Sequence, residues 1–292
     1  MKEAKKEILI ELLVVLLIVS LFALTRVNTS IKYRWDDISI FEPFSKNNAL
    51  LNEKQDLIIK DDLPKMEAAS AFYPFAAGFV QNTYSEDSFS KEFLKMVSTT
   101  EGYLDIINGK IDILVASGPS DEQKKMIEDS EADLVFKSIY LEPLIILVNK
   151  ESEVNNLSMD EIKDIYYSND SKWNTYQLEK NNGSQTCFES FVKNNKLGNN
   201  HYEIKSMNEI VDKIATDKKA IGYAFNSYYS KMHNNKKAKR ISVNDINYRD
   251  ENYPLLFEVY FIYRADNSNS NIPSIVKWFD TNEGQEFIEK IK

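Results

Sequence analysis

Asn181-Asn182-Gly183-Ser184-Gln185-Thr186, followed by the amphipathic run 187–197, is the stretch on which the reading of the fold turns. Small polar residues around one glycine open a helix there. Several backbone N–H groups and hydroxyls therefore stand at the positive end of a helix dipole. Such a loop can cradle an anion or another polar ligand, and plain N-capping uses the same residue types. A second small-residue loop, Glu67-Ala68-Ala69-Ser70-Ala71, lies ahead of Pro74 and another helical run. Two helix N-termini so far apart in the chain point to one ligand met from two lobes.

Working outward, the pattern from Pro64 onward is α/β. Residues 72–84 predict a helix with Pro74 in its first turn, 93–97 a strand, and 102–108 a short helix stopped by Gly109. The β-branched run 111–116 predicts a buried strand. It ends in Ser117-Gly118-Pro119-Ser120, which caps a helix over 121–129. Two strands are expected at 134–140 and 144–149. Ser158, with Glu161 three residues on, begins a capped helix. Trp173 reads as a turn, 189–193 as the continuation of the helix after the Asn-Gly-Ser loop, and 207–215 as another helix. A strand over 220–225 leads into a helix at 227–232, and 234–240 reads as a basic, exposed connection. Residues 255–263 predict a strong strand, 275–291 a terminal amphipathic helix, and 57–59 a short strand.

Alternating strands and helices imply an α/β layered fold. The last strand and helix follow a long middle section, which implies two lobes with chain crossings. The expected division is 1–25 as signal peptide or membrane anchor, 26–56 as tether or peripheral segment, 57–147 plus 251–292 as lobe 1, and 148–250 as lobe 2. Hinges are expected near 147–150 and 240–253.

The chain has 292 residues, 43% hydrophobic and 28% charged, enough to bury real cores. A net charge of −9 argues against nucleic acid as partner. Cys187 is the single cysteine, so an intramolecular disulfide and a multi-Cys metal site are excluded. His201 and His233 lack metal-ligand spacing and read as surface residues. No metal or cofactor is expected. Cys187 at a helix start has a position that lowers thiol pKa, but no His lies near it in sequence and no hydrolase motif is present. The expectation is no enzyme.

Lys2, Lys5 and Lys6 precede an apolar run over 12–24, extended backwards by Ile8, Leu9 and Ile10 and interrupted by Glu11. This is the basic-then-apolar pattern of an export signal. No small-residue cleavage site is evident. The preferred reading is an uncleaved anchor with the bulk outside the cytoplasm, and a cleaved signal would make the protein secreted.

Several motifs then fall in a known order: Glu67 to Ala71 with Pro74, Ser98-Thr99-Thr100-Glu101-Gly102-Tyr103, Asp112 to Ser117, Glu142-Pro143-Leu144 to Asn149, Leu157 to Tyr166 with Trp173, Asn181 to Thr186, and Ala220-Ile221-Gly222-Tyr223. With these the chain resembles the type II periplasmic binding proteins, and among them the phosphate-binding proteins of phosphate ABC transporters, over roughly residues 57–292. The resemblance implies a two-lobed fold that closes over a ligand. The family's Asp-Gly-Ser-Thr-Ala loop stands here as Glu67-Ala68-Ala69-Ser70-Ala71, with its Gly and first hydroxyl replaced by Ala68 and Ala69. The family's phosphate-binding Arg and Asp fall at Leu178 and Ser117.

By the same resemblance, the ligand-binding residues are Ser70, Ala71 through its backbone, Thr99, Ser117, Asn182, Gly183, Ser184 and Thr186, with Tyr223 also facing the cleft. The implied function is an extracytoplasmic solute-binding protein. It would be a monomer that binds phosphate or another small anion and docks on an ABC permease. The alternative is a membrane-anchored sensory or interaction module with a degenerate cleft, favoured by Leu178, Ala68 and Ala69.

Overall fold

Short runs of small and β-branched apolar residues set the sheet. The computed structural model describes residues 38–292 apart from 54, 170 and 193–197. The apolar run expected as signal or anchor lies outside the described residues, as does the end of the run after Cys187. Among the described residues no helix is long and apolar enough to cross a membrane. The architecture is that of the unit Ser39–Lys292.

In chain order it begins with β1 (Met66–Ala69), α1 (Tyr73–Thr83), β2 (Leu94–Val97), α2 (Thr99–Ile107), β3 (Ile113–Ser117), α3 (Asp121–Ser130) and β4 (Leu134–Asn149). There follow β5 (Asn156–Leu157), α4 (Met159–Tyr167), β6 (Asn174–Leu178), α5 (Gly183–Val192), β7 (His201–Ile204), α6 (Met207–Thr216), β8 (Ala220–Phe225) and β9 (Ala238–Val243). The chain closes with β10 (Leu256–Arg264), α7 (Ile272–Trp278) and α8 (Asn282–Ile291).

Every residue of β1, β3 and β8 is buried, as parallel strands covered on both faces require. In the first half of the sheet β1 lies parallel between β2 and β3, and β10 runs antiparallel between β3 and β4, giving the order β2-β1-β3-β10-β4. In the second half β4 pairs with β8 and β9, and β8 leads outward through β6 to β7.

The sequence predicts two strands over 134–149, but the structure runs them as one, straight through Glu142-Pro143. Proline has no N–H to give a ladder, and Pro143 stands where β4 changes partners. Up to Pro143, opposite Leu256, β4 pairs with β10, and from Leu144 it pairs with β8.

Local chemistry fixes the helix starts. Ser98 accepts the Glu101 amide, so α2 begins at Thr99, three residues before the predicted start. Ser120 and Ser158 both form full capping boxes, with Gln123 and Glu161. The terminal helix predicted as one piece is two, because Thr281 accepts the Gly284 amide and starts α8 afresh. Residues 57–59 form only a bridge, Ile59 to Tyr84. Strands β5, β6, β7 and β9 were not predicted. The helix expected at 227–232 is a π-helix over Tyr228–Met232.

Two aromatic clusters fill the cores. Phe79 packs against Phe261, Trp278 and Phe279 in the first half. In the second, Phe188 stacks on Tyr223 with ring centroids 4.3 Å apart and meets Tyr166 at 4.6 Å. Each such ring contributes about 2 kcal/mol by burial alone.

Candidate functional site

The two halves meet where α5 begins. Asn181 takes the left-handed conformation, φ 66°, which Asn tolerates better than most residues. Asn182 then caps the helix: its Oδ1 accepts the Ser184 amide at 3.1 Å and the Ser184 hydroxyl at 3.0 Å. The Gly183 amide points across to the other half and donates to Thr99 Oγ1 at 3.1 Å. A Cβ on Gly183 would lie 2.6 Å from Ser117 Oγ and 3.0 Å from Thr99 Oγ1. Only glycine allows this approach. Thr99 at the start of α2, Ser117 at the end of β3 and Gly183 at the start of α5 are therefore in direct contact.

Asn181 fastens the seam from one side. Its Oδ1 accepts the Ser120 hydroxyl at 2.7 Å, and its Nδ2 donates to Glu122. Its carbonyl accepts from Gln123 Nε2 at 3.0 Å and from Thr100 Oγ1 at 3.4 Å. One residue of the second half thus bonds to four residues of the first. The resemblance pointed to Asn182. Asn181, Ser120 and Gln123 were not singled out, although the capping motif at Ser120 was legible.

The remaining expected residues divide. Ser184 is buried and spent on Asn182. Thr186 Oγ1 is a buried hydroxyl that makes no hydrogen bond, and Ser117 Oγ, also buried, has only the Cys187 thiol beside it. Such groups are costly unless something pairs with them. Ser70 opens the short 3-10 turn Ser70–Phe72 and is half-buried. Ala71 presents its carbonyl to Ser227 Oγ at 3.3 Å, just beyond the end of β8. Tyr223 is buried beneath α5, where it contacts Gln185 Oε1. Its hydroxyl also accepts the Leu178 amide at 3.1 Å.

The floor of the seam is neutral. Leu178 is fully buried, and burial holds the Tyr223 phenol well above its ordinary pKa. None of the hydrogen bonds given above for the seam involves Lys, Arg or His. Cys187 is buried beside Ser117. Desolvation pushes its thiol up to about 12, against a smaller lowering by the serine hydroxyl, so it stays protonated at neutral pH. Among the described residues no group of three His, Cys, Asp or Glu could hold a metal ion.

Chemically the seam offers the dipole of α5 and the hydroxyl protons of Thr99, Ser117 and Thr186. Thr99 accepts from Gly183, so its own proton remains to be donated. This donor set suits a small polar or anionic group once the halves part.

A family model described as a PBP superfamily domain matches residues 65–289. No match to a curated protein is found. Among solved structures, the chain is similar to a protein from Clostridium perfringens described as a phosphate ABC transporter substrate-binding protein with bound phosphate. The identity is 17% and the TM-score 0.57, covering 77% of this chain and 96% of that one. It is similar also to an ABC-type phosphate transport receptor from Vibrio cholerae, at 16% identity and TM-score 0.55, covering 77% and 97%. The regulatory domain of CcmR from Synechocystis PCC6803, in complex with 2-PG, matches at 14% identity and TM-score 0.52, covering 78% and 96%. At such identities these likenesses show the fold alone.

Proposed function

The chain belongs to the PBP superfamily, with the two-lobed α/β fold of the type II periplasmic binding proteins, and from that premise we propose that it is an extracytoplasmic solute-binding protein of the phosphate-transport type. Its halves part and close over a small polar or anionic ligand at the α2–α5 seam, and the closed form docks on an ABC permease. The basic-then-apolar run at residues 2–24 anchors it to the membrane. One observation carries the reading. Thr99, Ser117 and Gly183, from opposite halves, converge at a helix N-terminus, where the Thr99 hydroxyl keeps a proton to donate. Closure of this kind is driven by whatever binds the closed form more tightly than the open one.

A second reading has its own support. The Gly183 amide is spent on Thr99, and by the resemblance buried Leu178 falls at the position of the family's countercharge. On this reading the seam closes on itself and the module senses or docks without transport. Calorimetric titration of phosphate into the phosphate-free chain, with sulfate as control, separates the two. Binding at about micromolar Kd supports the first reading. Absence of heat and of any thermal shift, in the wild type and in Asn181→Gly, supports the second.

A further inference from the structure

A cavity of ≈ 790 Å³ lies against β4 at its change of partner, and no residue of the α2–α5 seam lines it. Five consecutive strand residues, Ile139 to Pro143, border it. Side chains of a strand alternate between faces, so a space touched by five in a row sits against the strand's edge. The pairing agrees, because over Leu134–Pro143 β4 pairs with β10 alone. Leu141 stands 51% exposed there.

Two arginines form the opposite wall. Arg240 lies between two rings, 4.4 Å from the centroid of Tyr229 and 4.9 Å from that of Tyr248. Arg249 lies 5.1 Å from Tyr248 on its own account. One Arg240 terminal nitrogen donates to Ser230 Oγ at 2.6 Å, and its Nε is buried without a partner. Among the described residues, Arg264 pairs with Asp266, whereas neither Arg240 nor Arg249 makes an ion pair. That is unexpected in a chain of net charge −9. The hydroxyl of Tyr140, a residue only 7% exposed that also lines the cavity, has no partner either.

Four carboxylates line the same space, and three of them are engaged. Glu289 is paired with Lys292, Asp250 takes the Asn252 amide, and Glu142 takes the Ser227 amide. Glu251 is exposed at the surface.

We propose that this pocket is a second ligand site, distinct from the seam, and that it takes a small organic anion. The carboxylate or phosphate of the ligand would pair with Arg240 and Arg249 beside Tyr248, and its apolar body would cover Leu141, Pro143 and Leu256. The volume falls in the range of organic-ligand sites, and the wall joins apolar side chains, Leu141, Pro143 and Leu256, to fixed polar groups. Guanidinium groups held against aromatic rings are ordered in advance for a planar anionic group.

The test uses the full chain with benzoate and phenyl phosphate as probes, followed by saturation-transfer NMR and calorimetry. Benzyl alcohol serves as the neutral control. Both organic anions should bind with Kd of about 1 mM or tighter, and benzyl alcohol at least about tenfold more weakly. Arg249→Gln and Leu141→Glu, at exposed positions and checked for an unchanged melting temperature, should each weaken binding about tenfold. Thr99→Val in the seam should leave it unchanged. A stronger response to phenyl phosphate than to benzoate would identify the headgroup as phosphate, and the reverse as carboxylate. The proposal is overturned by equal binding of benzyl alcohol, by affinities that ignore Arg249→Gln and Leu141→Glu, by loss of binding in Thr99→Val, or by no binding up to about 10 mM.

Discussion

A methyl group at position 183 would stand 2.6 Å from Ser117 Oγ and 3.0 Å from Thr99 Oγ1. Gly183→Ala should therefore cost about 1–3 kcal/mol, as overpacking does, read as a lower urea midpoint. Adding Ser117→Gly removes the nearest obstacle and should recover most of the loss. Failure to recover would mean that the clash is not what Gly183 avoids. Asn181→Gly keeps the left-handed backbone and deletes the side-chain bonds to Ser120 and Glu122. The Gly183 amide should then exchange its hydrogen about tenfold faster, as a locally opened seam requires. Unchanged exchange would show that the fastening lies elsewhere. The helix start at Gly183 was legible from small polar residues before an amphipathic run. Its partner was not, because Thr99 is 84 residues away and no local pattern carries that distance. Nor does composition separate Asn181 from Asn182. One turns across the seam and the other caps its own helix, and backbone angle alone decides between them.

At the scale of elements, two serine caps with the same motif should differ in their effect. Ser158→Ala removes a cap that is purely local and should cost about 1 kcal/mol. Ser120→Ala removes a cap and also the hydroxyl that reaches Asn181, so it should cost more and should also speed exchange at Gly183. Equal losses in urea titrations of the two variants would contradict the bridging role of Ser120. The legible elements were those with one dominant signal. β3 and β8 are uninterrupted apolar runs, and α4 opens on a full capping box. The strands that escaped prediction have mixed signals. In β9 the buried Ala238, Ile241 and Val243 are interleaved with Lys239 and Arg240, and the basic residues dominated the reading. β7 exposes Tyr202 and Glu203. The division between α7 and α8 was hidden because the apolar spacing persists across it, while Thr281 restarts the hydrogen bonding.

Across the whole molecule, Glu142 ties the passage between halves to pH. Burial raises its carboxyl from 4.5 to about 7, outweighing the lowering hydrogen bonds from Ser227. The folded chain therefore holds a proton between pH 4.5 and about 7 that the unfolded chain has released. Stability falls as pH rises through that window and levels off above it, by about 3 kcal/mol at most from this group. Glu142→Gln should leave the melting temperature at pH 4.5 nearly unchanged and raise it at pH 8. A wild-type melting profile flat over the window would refute the assignment. A different consequence follows from the way β4 and β10 meet. The Leu144 amide donates to the Leu255 carbonyl at 2.9 Å, and the Tyr253 hydroxyl reaches the Leu144 carbonyl at 3.2 Å. The polypeptide leaves the first five strands at Leu144 and returns to them beside it at Leu255. Residues 145–254 are in that sense a cassette. They could be excised with a short linker in their place, or exchanged for a foreign insert, without altering the order of the strands that receive them.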